Sequence, residues 1–481
     1  MNEVLAPRKE LEDLQDDLRE VRELLRRHRL VESLVGRQDM PRHDVVENLV
    51  HRQNEAELRN KLDRMHAADV AYILESLPPP ERLSVWDLVK AERDGEILLE
   101  VSDAVRESLI RSMDSEELLA ATGQLEADEI ADLAPDLPED VIQDVFKSLP
   151  AGEREQLRAA MSYPEDAVGA LMDFDAVSVR EDVTLEVVSR YLRRFDELPD
   201  HTDQIFVVDR EERLRGVLPL AKLIVSDLDK MVADVMVTDT VTLYPDDKAQ
   251  NAAQAFERYD LVSAAVVDDT GKLVGRVTVD TVVDYIRSTA ESELLTRGGL
   301  REEEDIFASV WSSVRNRWSW LAVNLITAFI ASRVIGAFEG SIEKLVALAA
   351  LMPIVAGIGG NSGNQTTTMI VRAFALGQIQ LDQAKKLFRK EIGVAMVNGL
   401  IWGSVLGLIA WRLYDSVPLG AVMTAAMTLN LMVAATMGVL IPLAMVKFGR
   451  DPAVGSSVMI TACTDCGGFF IFLGLATLFL L

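Results

Sequence analysis

The residues of this 481-residue chain best suited to chemistry are oxygen donors set where hydrocarbon is expected. Pro353 to Gln365 reads Pro-Ile-Val-Ala-Gly-Ile-Gly-Gly-Asn-Ser-Gly-Asn-Gln, directly after the apolar stretch Leu345–Met352. The amides Asn361 and Asn364 are costly in lipid, and a proline with repeated glycines is poor helix material. Lipid tolerates loosened backbone only where it is buried in protein or lines a wet cavity. The run is therefore expected to be a broken helix whose free carbonyls and amides line a cation path. The alternative is a helix that uses its small residues for close packing.

A second donor set lies near the C-terminus. Asp465 is the only carboxylate after Asp451, and the hydroxyls of Thr461 and Thr464 lie within about a turn of it. A carboxylate inside a membrane helix is a functional-site hypothesis, against which stands a structural pairing with Arg333 or Arg372. Together the two sets offer a carboxylate, amides, hydroxyls and carbonyls. Hard divalent cations want such ligands, and Mg2+ in particular keeps most of its water and accepts few direct protein ligands. A soft-metal site would need other residues: all five histidines precede residue 202. Cys463 and Cys466 are the only cysteines, and they flank Asp465 in an apolar run, where small-residue packing is the better reading.

Five apolar stretches are long enough to hold these residues in a bilayer: Trp318–Phe338, Leu345–Leu376, Ile392–Trp411, Leu419–Val446 and Val454–Leu481. Arg315, Arg317, Lys385, Lys386, Arg389, Lys390, Lys447 and Arg450 flank one side, against Lys344 and Arg412 on the other. That asymmetry puts the N-terminal part in the cytoplasm and Leu481 outside. Met1–Leu30 is charged throughout and lacks the apolar core of a leader.

Charge divides the chain in two. Residues 301–481 carry 11 acidic and 13 basic side chains, so of the totals of 77 and 49, 66 and 36 fall in 1–300. The resulting net charge of −30 excludes nucleic acid as a partner and favours cations. Within it, Ala68–Pro78 and Ala127–Pro138 resemble each other and each leads into a similar helix, which predicts a small superhelix of helix pairs. Between 170 and 288 the pattern becomes β/α, and Ile205–Asp209 with Leu214–Leu220 returns 59 residues later as Ala264–Asp268 with Leu273–Val279. This repeat looks like a tandem pair of CBS motifs. The expected organisation is a charged N-terminal extension (1–50), a helical acidic domain (51–165), the CBS pair (170–288), a connecting plug helix (289–317) and a five-helix transmembrane domain (318–481).

This order resembles the MgtE family of magnesium channels, and the residues Gly359 to Gln365 and Asp451-Pro-Ala through Thr464-Asp465 are similar to its signature. The resemblance implies a homodimer in the bacterial inner (plasma) membrane, with the pore on the two-fold axis. Asp465 of each subunit would face a hydrated Mg2+ beside Asn364, with Asn361, Thr461 and Ser457 completing the lining. It also implies feedback, in which cytoplasmic Mg2+ bridges acidic residues of the helical domain, CBS pair and connector and closes the channel. The matching sensor positions are Asp227, Asp229, Asp234, Asp284, Glu291 and Glu293.

Three departures bear on this expectation. Ser457 stands where the family commonly has Asn, which reshapes the shell around a hydrated ion and puts selectivity in question. The ribose-gripping Thr-x-x-Asp of nucleotide-binding CBS motifs is displaced by one residue, since Thr278 is followed by Val279, Asp280 and then Thr281, so ATP is a weaker expectation than Mg2+. Thr281 also falls where a family sensor acid is expected. Two other readings compete: a coupled carrier or exchanger, or one preferring Mn2+ or Co2+, and a nucleotide-sensing regulator with a membrane anchor. An enzyme is not expected, because no nucleophile elbow, P-loop or dinucleotide fingerprint is present.

Overall fold

The computed structural model describes residues 11–35, 55–300, 304–375, 384–448 and 455–481. Asp451-Pro-Ala and half of the 1–50 extension lie outside them. The chain forms two compact units, one of Met1–Thr289 with Asp305–Ala308, the other of Ala290–Glu304 with Ser309–Leu481.

In the first unit, short helices run from Ala67–Glu75 to Ala151–Ala160. Proline sets the start of several of them: Pro79 opens Pro79–Trp86, while Pro138 and Pro150 cap Glu139–Ser148 and Ala151–Ala160. Proline fits there because its missing N–H has no intrahelical partner to lose. Val70, Ile73, Leu74, Val85, Leu109, Ile130, Leu133, Val145 and Leu157 share one apolar core across these helices. The helix Leu11–Val35 joins the same core through Val21, Leu24 and Leu25. Lys61 reaches back to it with ion pairs to Asp17 (2.9 Å) and Glu20.

The CBS region contains two three-stranded sheets of the same design. Strands β1 (Ser178–Arg180), β2 (Gln204–Val208) and β3 (Leu214–Pro219) form one, and β4 (Thr242–Leu243), β5 (Ser263–Val267) and β6 (Leu273–Thr278) the other. In each, the first pair is parallel, the second antiparallel, and the register slips at matching positions, Val207/Val208 and Val266/Val267. The 59-residue spacing is a contact as well as a repeat, since Gln204 Nε2 donates to the Ser263 carbonyl at 3.0 Å. Gly275 is needed for close approach: a Cβ there would lie 2.7 Å from the Asp173 carbonyl oxygen. That approach lets Asp173 pair with the buried Arg276 at 2.7 Å.

Helix α1 (Val279–Gly298) continues from β6 and passes from the first unit into the second. The second unit then comprises α2 (Val310–Gly336), short α3 (Glu339–Lys344), α4 (Ala347–Ala375), α5 (Ala384–Tyr414), α6 (Val417–Lys447) and α7 (Ser456–Leu480). Among the described residues, four helices, namely α2, α5 (counted from Lys385), α6 and α7, are long and apolar enough to cross a membrane. The first begins at Val310, ahead of the expected Trp318. Gly399, Gly403 and Gly407 form a small-residue ladder on α5 against Thr428, Thr424 and Gly420 of α6.

The expected break in the Pro353–Gln365 run is not observed. Helix α4 is continuous through Pro353. Its glycines are contact points instead: a Cβ on Gly359 would strike Asn430 of α6 at 2.2 Å, and one on Gly363 would strike Ile460 of α7 at 2.5 Å. Close packing on both neighbours holds the helix together where proline and glycine would loosen it alone. The run is therefore not unwound, and the oxygen donors it offers a cation are side chains.

Candidate functional site

On α7, Ser457, Thr461 and Asp465 are spaced four apart, so they lie in one stripe along the helix. Ser457 and Thr461 are exposed and Asp465 is half-buried in the single chain. The Thr461 hydroxyl donates to the Ser457 carbonyl at 2.9 Å, which leaves its lone pairs free to accept. Thr464, three residues after Thr461, lies on the buried flank of this stripe; its hydroxyl donates to the Ile460 carbonyl at 2.9 Å and faces Gly360 of α4. Among the described residues no arginine or lysine pairs with Asp465, so a structural partnership with Arg333 or Arg372 is not seen.

On α4, Asn361, Asn364, Gln365 and Thr368 recur at helical spacing and form a polar stripe left exposed or half-exposed. The contacts of Gly360 with Thr464 and Gly363 with Ile460 bring α4 and α7 together at this level. The five expected lining residues thus occupy accessible stripes of two adjacent helices. They offer a carboxylate, amides and hydroxyls, a set suited to a cation that keeps its water.

Sequence reasoning missed two polar residues nearby. Asn430 of α6 is fully buried, and Glu391 of α5 is 6 % exposed, with Thr366 of α4 donating to it at 3.4 Å and Lys390 at 3.1 Å. Asn430 stood out as an amide inside an apolar stretch, whereas Glu391 was masked by the charged run Arg389-Lys390 that precedes it.

The expected sensor acids are mostly solvent-facing. Asp227, Asp229, Asp234, Asp284 and Glu291 are exposed and Glu293 is half-buried; Asp227 pairs with Lys230 at 3.5 Å. No three of them converge among the described residues. Convergence occurs elsewhere in the first unit, where carboxylate oxygens of Glu126, Asp128 and Asp173 lie within 4.8 Å of one another. Burial, and then the neighbouring Asp175 and Asp173, push Glu126 up to about 7. Burial and Asp173 likewise push Asp128 up to about 7.

These shifts predict a pH dependence. Between the ordinary carboxylate range and pH 7 the folded unit holds protons that the unfolded chain releases, so stability falls as pH rises through that window. Without divalent ions, the purified protein should melt at a lower temperature at pH 8 than at pH 5, and Mg2+ should raise the melting point more at pH 8. A melting point that climbs from pH 5 to 8 would contradict this reading.

An acidic cytosolic unit with a CBS pair, joined to a membrane bundle bearing oxygen-lined stripes, defines a membrane transporter of cations. A family model described as divalent cation transporter, MgtE, matches residues 352–475. The MgtE intracellular N domain matches 65–166, and CBS domains match 168–227 and 232–288. The magnesium transporter MgtE of Thermus thermophilus is 31% identical over 435 residues, covering 85% of this chain and 94% of that protein. That of Bacillus subtilis is 23% identical over 424 residues, covering 88% and 94%. A crystal structure of the cytosolic domain of the Mg2+ channel MgtE in complex with ATP is 30% identical and covers 50% of this chain and 98% of that one, with a TM-score of 0.45. The chain belongs to the MgtE family of magnesium transporters.

Proposed function

We propose that this protein is a Mg2+-selective channel that admits Mg2+ across the bacterial inner membrane and is closed by Mg2+ on the cytoplasmic side. The observation that carries the reading is the α7 stripe of Ser457, Thr461 and Asp465, whose carboxylate has no basic partner among the described residues, on a helix that packs against amide-bearing α4 where Gly360 meets Thr464 and Gly363 meets Ile460. In this reading α4 is the fifth crossing. It falls outside the apolar candidates because its middle carries Asn361, Asn364, Gln365 and Thr366 to Thr368. Both stripes are accessible in one chain, so a second copy related by a two-fold axis covers them and places two Asp465 carboxylates about one hydrated ion. The positive flanking charges put the N-terminus in the cytoplasm.

Closure follows from charge. The cytosolic part carries the −30 excess, and Mg2+ bridging acids such as Asp227, Asp229, Asp234, Asp284, Glu291 and Glu293 relieves repulsion and favours a compact arrangement. At the CBS pair, Thr281 donates to the Thr278 carbonyl at 2.9 Å where a ribose-gripping acid would stand, so regulation is assigned to Mg2+ ahead of ATP.

The test is Mg2+ influx into proteoliposomes with Mg2+ on the domain side varied. Influx should stop as that concentration rises into the millimolar range, on the order of weak carboxylate sites. Influx indifferent to it would remove the gating half of the proposal. One observation favours a coupled carrier, the buried Glu391 against α4, because a buried carboxylate can exchange protons. Single-channel currents decide between the two: a carrier gives none.

A further inference from the structure

Asn430 lies midway along α6 and is fully buried. Its Nδ2 donates to the Val355 carbonyl of α4 at 2.9 Å, while its Oδ1 has no hydrogen-bond partner. Two glycines on different helices make room for it. A Cβ on Gly359 of α4 would meet Nδ2 at 2.2 Å, and one on Gly468 of α7 would meet it at 2.7 Å. Gly359 is two residues before Asn361, and Gly468 is three after Asp465. One amide is therefore wedged between the helices that carry the two oxygen-lined stripes.

An apolar side chain of similar volume would fill this space without burying an unsatisfied oxygen, which is costly away from water. The amide does what an apolar residue cannot: it fixes the backbone of α4 to α6. The bond falls at Val355, just past Pro353, whose missing N–H deprives the preceding turn of its bond to the Ala349 carbonyl, so the amide anchors α4 beside that weakened turn. From the other side, contact with Gly468 fixes α7 against the same amide.

We propose that Asn430 is a positioning residue for ion passage, setting the spacing between the α4 amides and the Asp465 carboxylate and thereby the discrimination between hydrated Mg2+ and a larger divalent ion. The proposal rests on the pathway reading above. Selectivity built from outer-shell contacts depends on that spacing, because a displaced ring of donors no longer matches the smaller ion's water shell.

The experiment measures Mg2+ and Ca2+ influx separately in proteoliposomes, per reconstituted protein, for the full chain. Asn430→Ala should lower the Mg2+ to Ca2+ influx ratio by about tenfold, the scale on which loosening a positioned donor acts. Gly359→Ala and Gly468→Ala, which push on the same amide from opposite sides, should shift the ratio in the same direction. Asn430→Ser is the milder variant if Asn430→Ala fails to fold. Equal losses for both ions, with the ratio unchanged, would mean that Asn430 only stabilises the bundle. Asp465→Ala separates the two levels. If it leaves Mg2+ influx intact, the pathway reading falls; if it stops influx while the Asn430 and glycine variants keep the wild-type ratio, only the positioning role falls.

Discussion

Asp465→Ala is expected to lower Mg2+ influx by roughly 100-fold, the equivalent of about 3 kcal/mol, or two charge-assisted hydrogen bonds from the ion's water shell. Asp465 is half-buried on a membrane helix, and among the described residues no cation pairs with it. Such a carboxylate costs the protein free energy at rest, so removing it should leave the fold as stable as before or more so. This separates the prediction from trivial unfolding, because the variant's melting point in detergent should match or exceed that of wild type. Asp465→Asn keeps the shape and one acceptor but loses the charge, and should lose most of the flux. Thr461→Ala should cost far less, since its neutral hydroxyl accepts only an ordinary hydrogen bond from the ion's waters, whereas the Asp465 carboxylate accepts charge-assisted ones. A variant at Asp465 that retains half the wild-type influx would sink the assignment.

What was legible in the sequence depended on whether a signal was local. The strands of the CBS pair could be read because Ile205–Asp209 and Ala264–Asp268 are short apolar runs repeated at one spacing, and each forms a buried strand in its own sheet. The oxygen donors of α4 and α7 could be read because an amide or carboxylate in an apolar stretch stands out against its neighbours. The shape of α4 was misjudged, since proline and glycine report only what an isolated helix would do. Gly359 and Gly363 are small because Asn430 and Ile460 press on them, and those partners lie about 70 and 100 residues away. The meeting of Glu126 and Asp128 with Asp173 was invisible for the same reason. It depends on Gly275 admitting the Asp173 backbone next to β6, a tertiary fact with no local pattern.

The first unit holds a second long-range pair with a large expected effect. Arg82 is wholly buried, and its Nη1 meets the Asp305 carboxylate at 2.6 Å. Asp305 lies 223 positions along the chain, in the short segment before α2 that clusters with the first unit. The other guanidinium contacts are backbone carbonyls, Leu74 at 2.8 Å and Leu77 at 3.1 Å. Those oxygens, at and just beyond the end of the helix Ala67–Glu75, carry only partial charge. Asp305→Ala therefore strands a buried cation and is expected to cost about 3 kcal/mol, the low end for breaking a buried pair because the two carbonyls remain. Arg82→Met combined with Asp305→Ala should recover most of that loss, since an apolar side chain needs no counter-charge. Hydrogen exchange locates the effect. The Phe307 amide donates to the Asp305 carboxylate at 2.9 Å, so it should exchange faster in Asp305→Ala, with Ala308 following as the turn closed on the Asp305 carbonyl loosens. If both amides keep wild-type protection and the melting point does not move, the pair contributes nothing and Arg82 is held by its carbonyls alone.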